Sequence, residues 1–317
     1  MSSSAHGILI IGSEGQDGRV LQKILSSEGK NVYRQTRNSL ISPASTNLGE
    51  PTQELLRSIF RSIQIEEVYF LAAVHTPAKL EFAGESRKQI ETNFQLIQNN
   101  LLQVLEIVRE LSPASRFFFA SSALVFGEPD SIPQTENSRR MPIEVYGLFK
   151  SISQEIVTYY RQIHGLFGVT GILYPHESEF RKEQFLFRKI LDGAISASKE
   201  SDFNLRVVDL DFTREWNCAY QVMESARDTL RVDEPEDFVI GSGKKESVRE
   251  ICKHSFEMVN LDFQDFVTVS PAKLIQRSAN LLANPDKLYK ATGKKPDGDA
   301  RALIERTFRR MQGSQTI

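Results

Sequence analysis

A short apolar run leads through three glycines into a helical pattern near the start of the chain, and few folds accommodate that order. Residues 7–11 read Gly-Ile-Leu-Ile-Ile, residues 12–18 read Gly-Ser-Glu-Gly-Gln-Asp-Gly, and apolar residues then repeat with helical period as far as Leu25. Glycines let a backbone approach a pyrophosphate, and a helix N-terminus offers it free N–H groups. The pattern predicts a β-strand, a dinucleotide-binding turn and a helix. A glycine turn with a purely structural role is the alternative.

A second informative stretch extends over residues 117–150. Its apolar beginning is typical of a strand ending at Ser122, and a helical pattern from about residue 142 places Tyr146 and Lys150 on one helix face. An ammonium group one turn away favours a phenolate, so Tyr146 is a candidate proton carrier, and Ser122 is a candidate hydrogen-bond donor to the same substrate oxygen. Chance also produces such pairs, but the strand end and the glycine turn favour catalysis. A tyrosine that takes a proton from an alcohol implies hydride transfer from the same carbon.

Strand-like and helical patterns alternate through the first half of the chain. We predict strands at 31–34, 68–73 and 169–174, and helices over 52–63 and 86–111. The apolar side chains of the last helix are expected to pack on a sheet: Ile90, Phe94, Ile97, Leu101, Leu105 and Val108. The alternation predicts an α/β fold, a Rossmann-type doubly wound parallel sheet with helices on both faces.

The order of these patterns also suggests a division of the chain. We expect residues 1–175 to form the dinucleotide-binding domain, completed by later strands at about 205–210 and 236–241. Residues 176–317 are expected to form mainly a smaller substrate-binding region.

Composition narrows the function classes. The net charge of -2, the 40% hydrophobic share and the 25% charged share show no bias toward nucleic acid or membrane. The two cysteines, Cys218 and Cys252, have no metal-ligand spacing, and we expect no metal. The beginning of the chain does not resemble a signal peptide, which favours a cytoplasmic protein.

The residues after the second strand bear on the choice of cofactor. Thr36-Arg37-Asn38 stands where an acidic residue would bind the ribose hydroxyl of NAD. Arg37 suits a 2′-phosphate instead, which favours NADP and leaves NAD possible. A surface arginine without a ligand is the alternative.

A charged stretch follows the strand at 169–174. It contains Arg181, Arg188 and Lys189 just beyond a strand end, where open α/β sheets bind ligands. Basic side chains there suit a diphosphate, and a solvated helix face is the alternative.

These motifs together resemble the extended short-chain dehydrogenase/reductase family, and within it the GDP-mannose 4,6-dehydratases. The glycine loop with its Gly-Gln-Asp-Gly ending, the Tyr-x-x-x-Lys pair and Tyr-Pro-His-Glu-Ser at 174–178 are similar to motifs of those enzymes. Residues 234–243, Glu-Pro-Glu-Asp-Phe-Val-Ile-Gly-Ser-Gly, resemble a late segment of the same family. The likeness covers about residues 7 to 310.

The resemblance implies roles for individual residues. Catalysis would fall to Ser122, Tyr146 and Lys150. The cofactor would be faced by Gly12, Ser13, Glu14, Gly15, Gln16, Asp17, Gly18, Arg37, Asn47, Leu48, Leu71, Ala72, Ala73, His75, Lys150, His176 and Arg181. A nucleotide-diphosphate sugar would be bound by Ser122, Lys189, Arg214 and Arg277. The family also implies a homo-oligomer, a dimer or a tetramer.

One departure from the family pattern affects the reaction. The dehydratases carry Thr-Ser-Glu at the strand end, and that glutamate removes the C5 proton of the sugar; here the positions are Ser122, Ala123 and Leu124. A leucine cannot take a proton, and the loss of a general base typically costs about 10²–10⁴-fold in rate. Pro175 likewise replaces an asparagine that contacts the substrate.

We therefore expect an enzyme that transfers hydride at C4 of a nucleotide-diphosphate sugar, with a GDP-hexose favoured, as a 4-keto reductase or a 4-epimerase. The strand end Ser-Ser-Ala followed by Val-Phe-Gly is similar to that of 4-epimerases. The alternatives are 4,6-dehydration with another base, and a dinucleotide-binding regulator that has lost its chemistry.

Overall fold

The computed structural model describes residues 6–73, 87–270 and 280–313. In chain order the strands are β1 His6–Ile11, β2 Val32–Gln35, β3 Leu40–Ile41, β4 Asn47–Gly49, β5 Gln64–Phe70, β6 Arg116–Ser122, β7 Phe167–Leu173, β8 His176–Glu177, β9 Leu205–Val207, β10 Thr213–Glu215, β11 Asn217–Cys218, β12 Asp237–Ile240, β13 Lys245–Ser247 and β14 Val267–Val269. The α-helices are α1 Gln16–Ser27, α2 Gln53–Ser62, α3 Arg87–Leu96, α4 Gln103–Leu111, α5 Val145–His164, α6 Leu186–Ala197, α7 Ala219–Thr229, α8 Val248–Glu257, α9 Asp286–Thr292 and α10 Ala300–Gly313.

Eight of these strands form one sheet in the order β12-β7-β6-β5-β1-β2-β3-β4. The pairings from β12 across to β2 are parallel, and β3 and β4 extend the sheet antiparallel at its edge. The strand order reverses between β1 and β5, which makes the carboxyl ends of those strands the place where a ligand crevice forms. The predicted doubly wound parallel sheet is confirmed.

Side chains from the two faces of the sheet enter two separate hydrophobic cores. Ile8 and Ile10 pack with apolar residues of α1 and α7 on one face, while Leu9 and Ile11 pack with α2, α4 and α5 on the other. A parallel strand covered by helices on both sides has to be apolar at every position, which explains the uninterrupted run in β1. Among the described residues, no helix is long and apolar enough to cross a bilayer.

The strand expected at 205–210 does not belong to the main sheet. Observed as β9, it pairs in parallel with β14 in a separate two-stranded sheet, with Leu205 opposite Val267. The reason is packing: Leu205 and Val207 join a third core formed by α6, α8 and α10 around Trp216. The strand expected at 236–241 is β12, and it does pair with β7 in the main sheet. The division of the chain into two domains stays a prediction.

The helix predicted over 86–111 is interrupted by a π-helical turn, Ile97–Leu102, between α3 and α4. Extra residues in a wide turn shift the helical phase. Leu101 is buried in the second core as expected, but Ile90 and Phe94 are 44% and 61% exposed, so the prediction that they pack on the sheet is wrong.

A buried carboxylate fastens the C-terminal segments to the sheet. Glu215, 1% exposed, accepts hydrogen bonds from the backbone amides of Ser242 and Ala283 at 2.9 and 2.6 Å and from the side-chain amide of Asn217 at 3.1 Å. The hydroxyl of Ser242 and the amide of Gly243 also donate to it. Five donors on one carboxylate hold the chain beyond β12 and the segment before α9 in one place.

Glu215→Gln should lower the free energy of unfolding by about 2–3 kcal/mol, because the new amide group turns two N–H donors toward groups that are themselves donors. Chemical denaturation of the variant against the wild type measures the change. Glu183→Gln, on an exposed side chain, is the matched control and should leave stability unchanged. Equal stability of both variants would contradict the anchoring role of Glu215.

Candidate active site

Backbone hydrogen bonds hold the glycine loop, residues 12–15, between the ends of two strands. The amides of Gly12 and Ser13 donate to the carbonyl of Gln35 at 2.9 and 3.1 Å, and the Ser13 hydroxyl donates to the same carbonyl at 3.1 Å. On the other side the amide of Leu71 donates to the carbonyl of Ile11 at 2.9 Å. The loop is thus placed where the strand order of the sheet reverses.

Gly12, Gly15 and Gly18 are glycines for different structural reasons. Gly12 has φ +87°, and a Cβ there would lie 2.6 Å from the amide nitrogen of Ala72, while a Cβ on Gly18 would lie 2.5 Å from Cα of Ser13. The protein itself requires these two glycines. A Cβ on Gly15 would meet only the Gly12 carbonyl oxygen, at 3.4 Å. Its open side at the start of α1 fits the close approach of a cofactor diphosphate.

The remaining residues expected to face the cofactor lie around this loop. Ala72 and Ala73 line a cleft together with Tyr146 and Lys150. Glu14 is exposed within the loop. His75 lies outside the described residues.

The residues expected at the adenosine end lie near the end of β2. Arg37 is exposed in the turn after that strand, where Thr36 accepts hydrogen bonds from the amides of Asn38 and Ser39. Asn47 reaches the Ser39 hydroxyl at 3.5 Å from β4. Leu48, its neighbour on that edge strand, is 39% exposed.

The three predicted catalytic residues are brought together. The phenol of Tyr146 shares a hydrogen bond with the Ser122 hydroxyl, which also accepts the amide of Leu124 at 3.3 Å. The ammonium of Lys150 donates to the Ala120 carbonyl at 2.5 Å and lies 5.7 Å from the centre of the Tyr146 ring.

Close packing at the start of α5 produces this approach. A Cβ on Gly147 would lie 2.5 Å from the Leu124 carbonyl oxygen, so only a glycine lets the helix come so near to the 3₁₀ turn Ala123–Phe126 that follows β6. The neighbouring Tyr146 is thereby placed beside the strand end that carries Ser122.

The electrostatics of the pair differ from the prediction. Burial raises the pKa of Tyr146 well above its usual range, and the charge of Asp17 raises it further. The Ser122 hydrogen bond and the charge of Arg181 act in the opposite direction. Burial also lowers the pKa of Lys150 to about 8, although Asp17 opposes that change. Burial of both side chains thus acts against the phenolate that Lys150 is expected to favour, and the phenolate stays a prediction.

An ion pair that the sequence did not reveal joins the first turn of α1 to β8. Nε2 of His176 lies 2.8 Å from Oδ1 of Asp17, and Gln16 donates to the His176 carbonyl at 3.1 Å. The pair connects positions 159 residues apart, and no periodic pattern relates such positions. Both residues had been assigned to the cofactor site by resemblance, but their contact had not been predicted.

Arg181 and Arg214 lie on the side of the site that faces the C-terminal region. Nε of Arg181 donates to Glu177 at 2.5 Å, and that carboxylate is 2% exposed. Arg214 lies over the Trp216 ring at 4.9 Å, its Nε is buried without a hydrogen-bond partner among the described residues, and burial lowers its pKa. Glu177 is thus paired with an arginine and is not available as a catalytic base.

The other two candidate substrate residues are less defined. Lys189 is exposed on α6. Arg277 lies outside the described residues.

Leu124 occupies an apolar environment. It is half-buried in the 3₁₀ turn after Ser122 and packs against a core that contains Val125, Tyr174 and Val239. The structure thus offers no carboxylate at the position where dehydratases carry their base.

Two polar residues of the cleft had not been assigned a role in the sequence analysis. Asn93, 6% exposed on α3, and Ser153, 4% exposed on α5, line the same cleft as Tyr146 and Lys150. A buried polar side chain on an otherwise amphipathic helix is the sequence signal that points to such positions. Among the described residues, no group of three or more His, Cys, Asp or Glu side chains is arranged to hold a metal ion.

Known proteins share this fold and these motifs. The sequence model of the GDP-mannose 4,6 dehydratase family matches residues 9–307. GDP-mannose 4,6 dehydratase 2 of Caenorhabditis elegans is 30% identical over 91% of this chain and 84% of its own length. The human GDP-mannose 4,6 dehydratase is 29% identical over 78% of this chain and 71% of its own.

Solved structures agree on the fold. The epimerase Mth375 from Methanothermobacter thermautotrophicus superposes with a TM-score of 0.80 at 19% identity, over 98% of this chain and 94% of that one. RMD from Pseudomonas aeruginosa, complexed with NADPH, superposes with a TM-score of 0.73 at 16% identity, over 96% of this chain and 99% of that one. Since the family match spans almost the whole sequence, the chain belongs to the GDP-mannose 4,6-dehydratase family of extended short-chain dehydrogenases/reductases, NAD(P)-dependent enzymes that modify nucleotide sugars.

Proposed function

We propose that this protein transfers hydride at C4 of a nucleotide-diphosphate sugar, with a GDP-hexose favoured, as a 4-keto reductase or a 4-epimerase. One observation carries the proposal. Ser122, Tyr146 and Lys150 meet beside the glycine loop, while the position of the dehydratase carboxylate is taken by Leu124 in an apolar contact.

The residues around the switch point suit NADP. The open side of Gly15 and the first turn of α1 would hold the diphosphate, Arg37 would meet a 2′-phosphate, and Lys150 would meet the nicotinamide ribose. When bound, the nicotinamide supplies or accepts the hydride. RMD, whose structure holds NADPH, has the same fold, so the fold accommodates NADPH, and the preference for NADP rests on Arg37.

In the reductive direction Tyr146 is the proton donor. Its raised pKa favours the phenol, which can donate its proton to a carbonyl oxygen at C4 as the carbon receives hydride. The phenolate left behind is stabilised by the Ser122 hydrogen bond and by the charge of Arg181. The carbonyl becomes an alcohol, and a proton from solvent restores the phenol.

Arg214 is the strongest candidate for the sugar-nucleotide diphosphate. Its guanidinium is buried near Arg181 with one N–H group unused among the described residues, and a phosphate oxygen is a suitable acceptor for it. Lys189 and Arg277 stay predictions for the same role.

True 4,6-dehydration is the second candidate because the relatives over most of the chain are named GDP-mannose 4,6-dehydratases. It needs a base for C5. Glu177 is bound to Arg181, and Asp17 is bound to His176, so neither carboxylate is free to supply it. A regulator that binds the dinucleotide without turnover is the candidate from another class. The intact Ser122, Tyr146 and Lys150 arrangement argues against it.

Tyr146→Phe should lower the turnover of a 4-keto sugar nucleotide by about 10²–10⁴-fold, because the phenol proton is lost while the ring remains. NADPH affinity, measured by fluorescence titration, should stay within about twofold, since the amides at the start of α1, rather than the phenol, are expected to bind the diphosphate. Tyr289→Phe, at an exposed residue of α9, is the control and should retain full turnover. A Tyr146→Phe enzyme with normal turnover would remove the proposed proton donor.

Leu124→Glu should create or strongly increase dehydration of GDP-mannose, by about 10²-fold or more, because it restores a base at the family position. Leu124→Gln has the same size without the acid–base group and should not gain the activity. Formation of the 4-keto-6-deoxy product, followed by chromatography, measures both. Rapid dehydration by the wild-type protein would reverse our reading of Leu124 and favour the second candidate.

The resemblance implies a homo-oligomer. We infer that self-association uses the outer face of α5. Ile152, Tyr159 and Ile163 are 38%, 53% and 62% exposed on that helix, an unusual concentration of apolar surface. The double substitution Tyr159→Glu with Ile163→Glu should shift the protein toward monomer in sedimentation velocity. A wild-type protein that is monomeric at micromolar concentration would contradict this inference. The cytoplasmic location stays a prediction.

A further inference from the structure

His176 lies between two groups that can only accept hydrogen bonds. Its Nδ1 is 2.7 Å from the carbonyl oxygen of Tyr174, and its Nε2 is 2.8 Å from the carboxylate of Asp17. A carbonyl has no proton to give. Burial raises the pKa of Asp17, but the charge and hydrogen bond of His176, the charge of Arg181 and the hydrogen bond of Gln16 lower it by more, to about 2. An acceptor at each ring nitrogen favours a donor at both, which is an imidazolium.

The carboxylate of Asp17 occupies an unfavourable place for the cofactor. It lies in the first turn of α1, whose free N–H groups and positive dipole end would otherwise attract a diphosphate. An uncompensated negative charge there opposes the phosphates. The imidazolium is the cation in direct contact with it.

Other charged groups surround the pair from several elements. Arg181 donates to the backbone carbonyl of His176 and is itself paired with Glu177. Tyr146 and Lys150 on α5 lie within the field of Asp17, and Arg214 lies within that of Arg181 and Glu177. In the part of the chain that the structure describes, His176 is the one histidine among these groups.

We propose that His176 is a positioning residue for the dinucleotide. Its imidazolium cancels the charge of Asp17 in the first turn of α1 and holds that turn, with the glycine loop before it, against β8. This inference rests on the dinucleotide site of the proposed function. It assigns the loop a pH-dependent affinity for the cofactor.

The direction of the pH effect follows from the two pKa shifts. Burial lowers the pKa of His176, but the charge and hydrogen bond of Asp17 more than offset it, so the pKa is raised above the ordinary 6.5. With respect to the titration of His176, the ion pair stabilises the fold fully below pH 6.5, and this stabilisation is lost as the pH rises through the raised pKa of the histidine. With respect to the titration of Asp17, the same stabilisation is present above pH 3.8 and is lost as the pH falls toward the lowered pKa of about 2.

The ionisation state can be tested without any cofactor. Two-dimensional NMR of the ¹⁵N-labelled histidine side chains, with His176→Gln used for assignment, should show both nitrogens of His176 protonated at pH 7. His254 on α8, whose ring lies near Glu250, Glu257 and Arg301, gives a comparison within the same protein. A neutral His176 ring at pH 7 would overturn the inference whatever the enzyme does.

The effect on the cofactor is tested by a cycle of variants. NADPH affinity of the wild type, measured by fluorescence between pH 6.5 and 9.5, should weaken as the pH rises, over an interval in which the 2′-phosphate has largely lost its last proton. His176→Gln should bind about 10-fold more weakly at pH 7 and show a smaller pH dependence than the wild type; the part that remains belongs to Lys150, whose pKa of about 8 lies in the same interval. Adding Asp17→Asn to that variant should recover most of the affinity, because the charge that needed a partner is gone.

The double variant separates charge compensation from structure. If His176 acted only by holding the loop in shape, removing a second partner would leave binding as weak as in His176→Gln, and that result would overturn the proposal. His254→Gln is the control and should bind as the wild type does. A wild-type protein that binds neither NADPH nor NADH would refute the proposed function instead, while the NMR result would still decide the charge of His176.

Discussion

The approach of the Gly12 backbone to Ala72 is the contact on which the site depends. With φ +87° and no Cβ, Gly12 lets the turn after β1 lie against the end of β5, where any side chain would collide at 2.6 Å. The turn then directs α1 so that Asp17 meets His176, and His176 continues into the Glu177–Arg181 pair. A conformational property of one residue thus connects the dinucleotide loop with the Glu177–Arg181 ion pair.

Local patterns explain why much of this was predictable. The glycine loop, the apolar strands and the face shared by Tyr146 and Lys150 all depend on spacings of a few residues, and spacing is what a sequence displays directly. The parallel, doubly wound sheet followed from the alternation of strands and helices. The pairing of β9 with β14 and the partnership of Asp17 with His176 depend on segments that are 62 and 159 residues apart, and neither leaves a periodic trace.

The effect of burial on Tyr146 was not predictable for a different reason. A lysine one helical turn away suggests a phenolate, but the effect of burial is larger and depends on how completely β6 and α5 enclose the hydroxyl. Departures from the family pattern were visible in sequence, whereas their consequences needed coordinates. The hydroxyl of Tyr174, which is buried next to the site, donates at 2.8 Å to Gln134, which also accepts the amide of Leu282. The polar partner of Tyr174 thus comes from a distant loop, which the sequence does not reveal.

The π-helical turn at Ile97–Leu102 divides one long helix into α3 before it and α4 after it. The apolar residues of α4 are buried in the core on the sheet. In α3, Asn93 lines the cleft, and the ring of Phe94 lies edge-on to that of Phe149 with 5.9 Å between the ring centres. Because Phe94 is 61% exposed, sequence change in α3 can alter the wall of the cleft beside Tyr146 with little effect on the core. In evolutionary terms, this widened turn joins a part of the cleft that can vary in sequence to a helix whose sequence is constrained by the core.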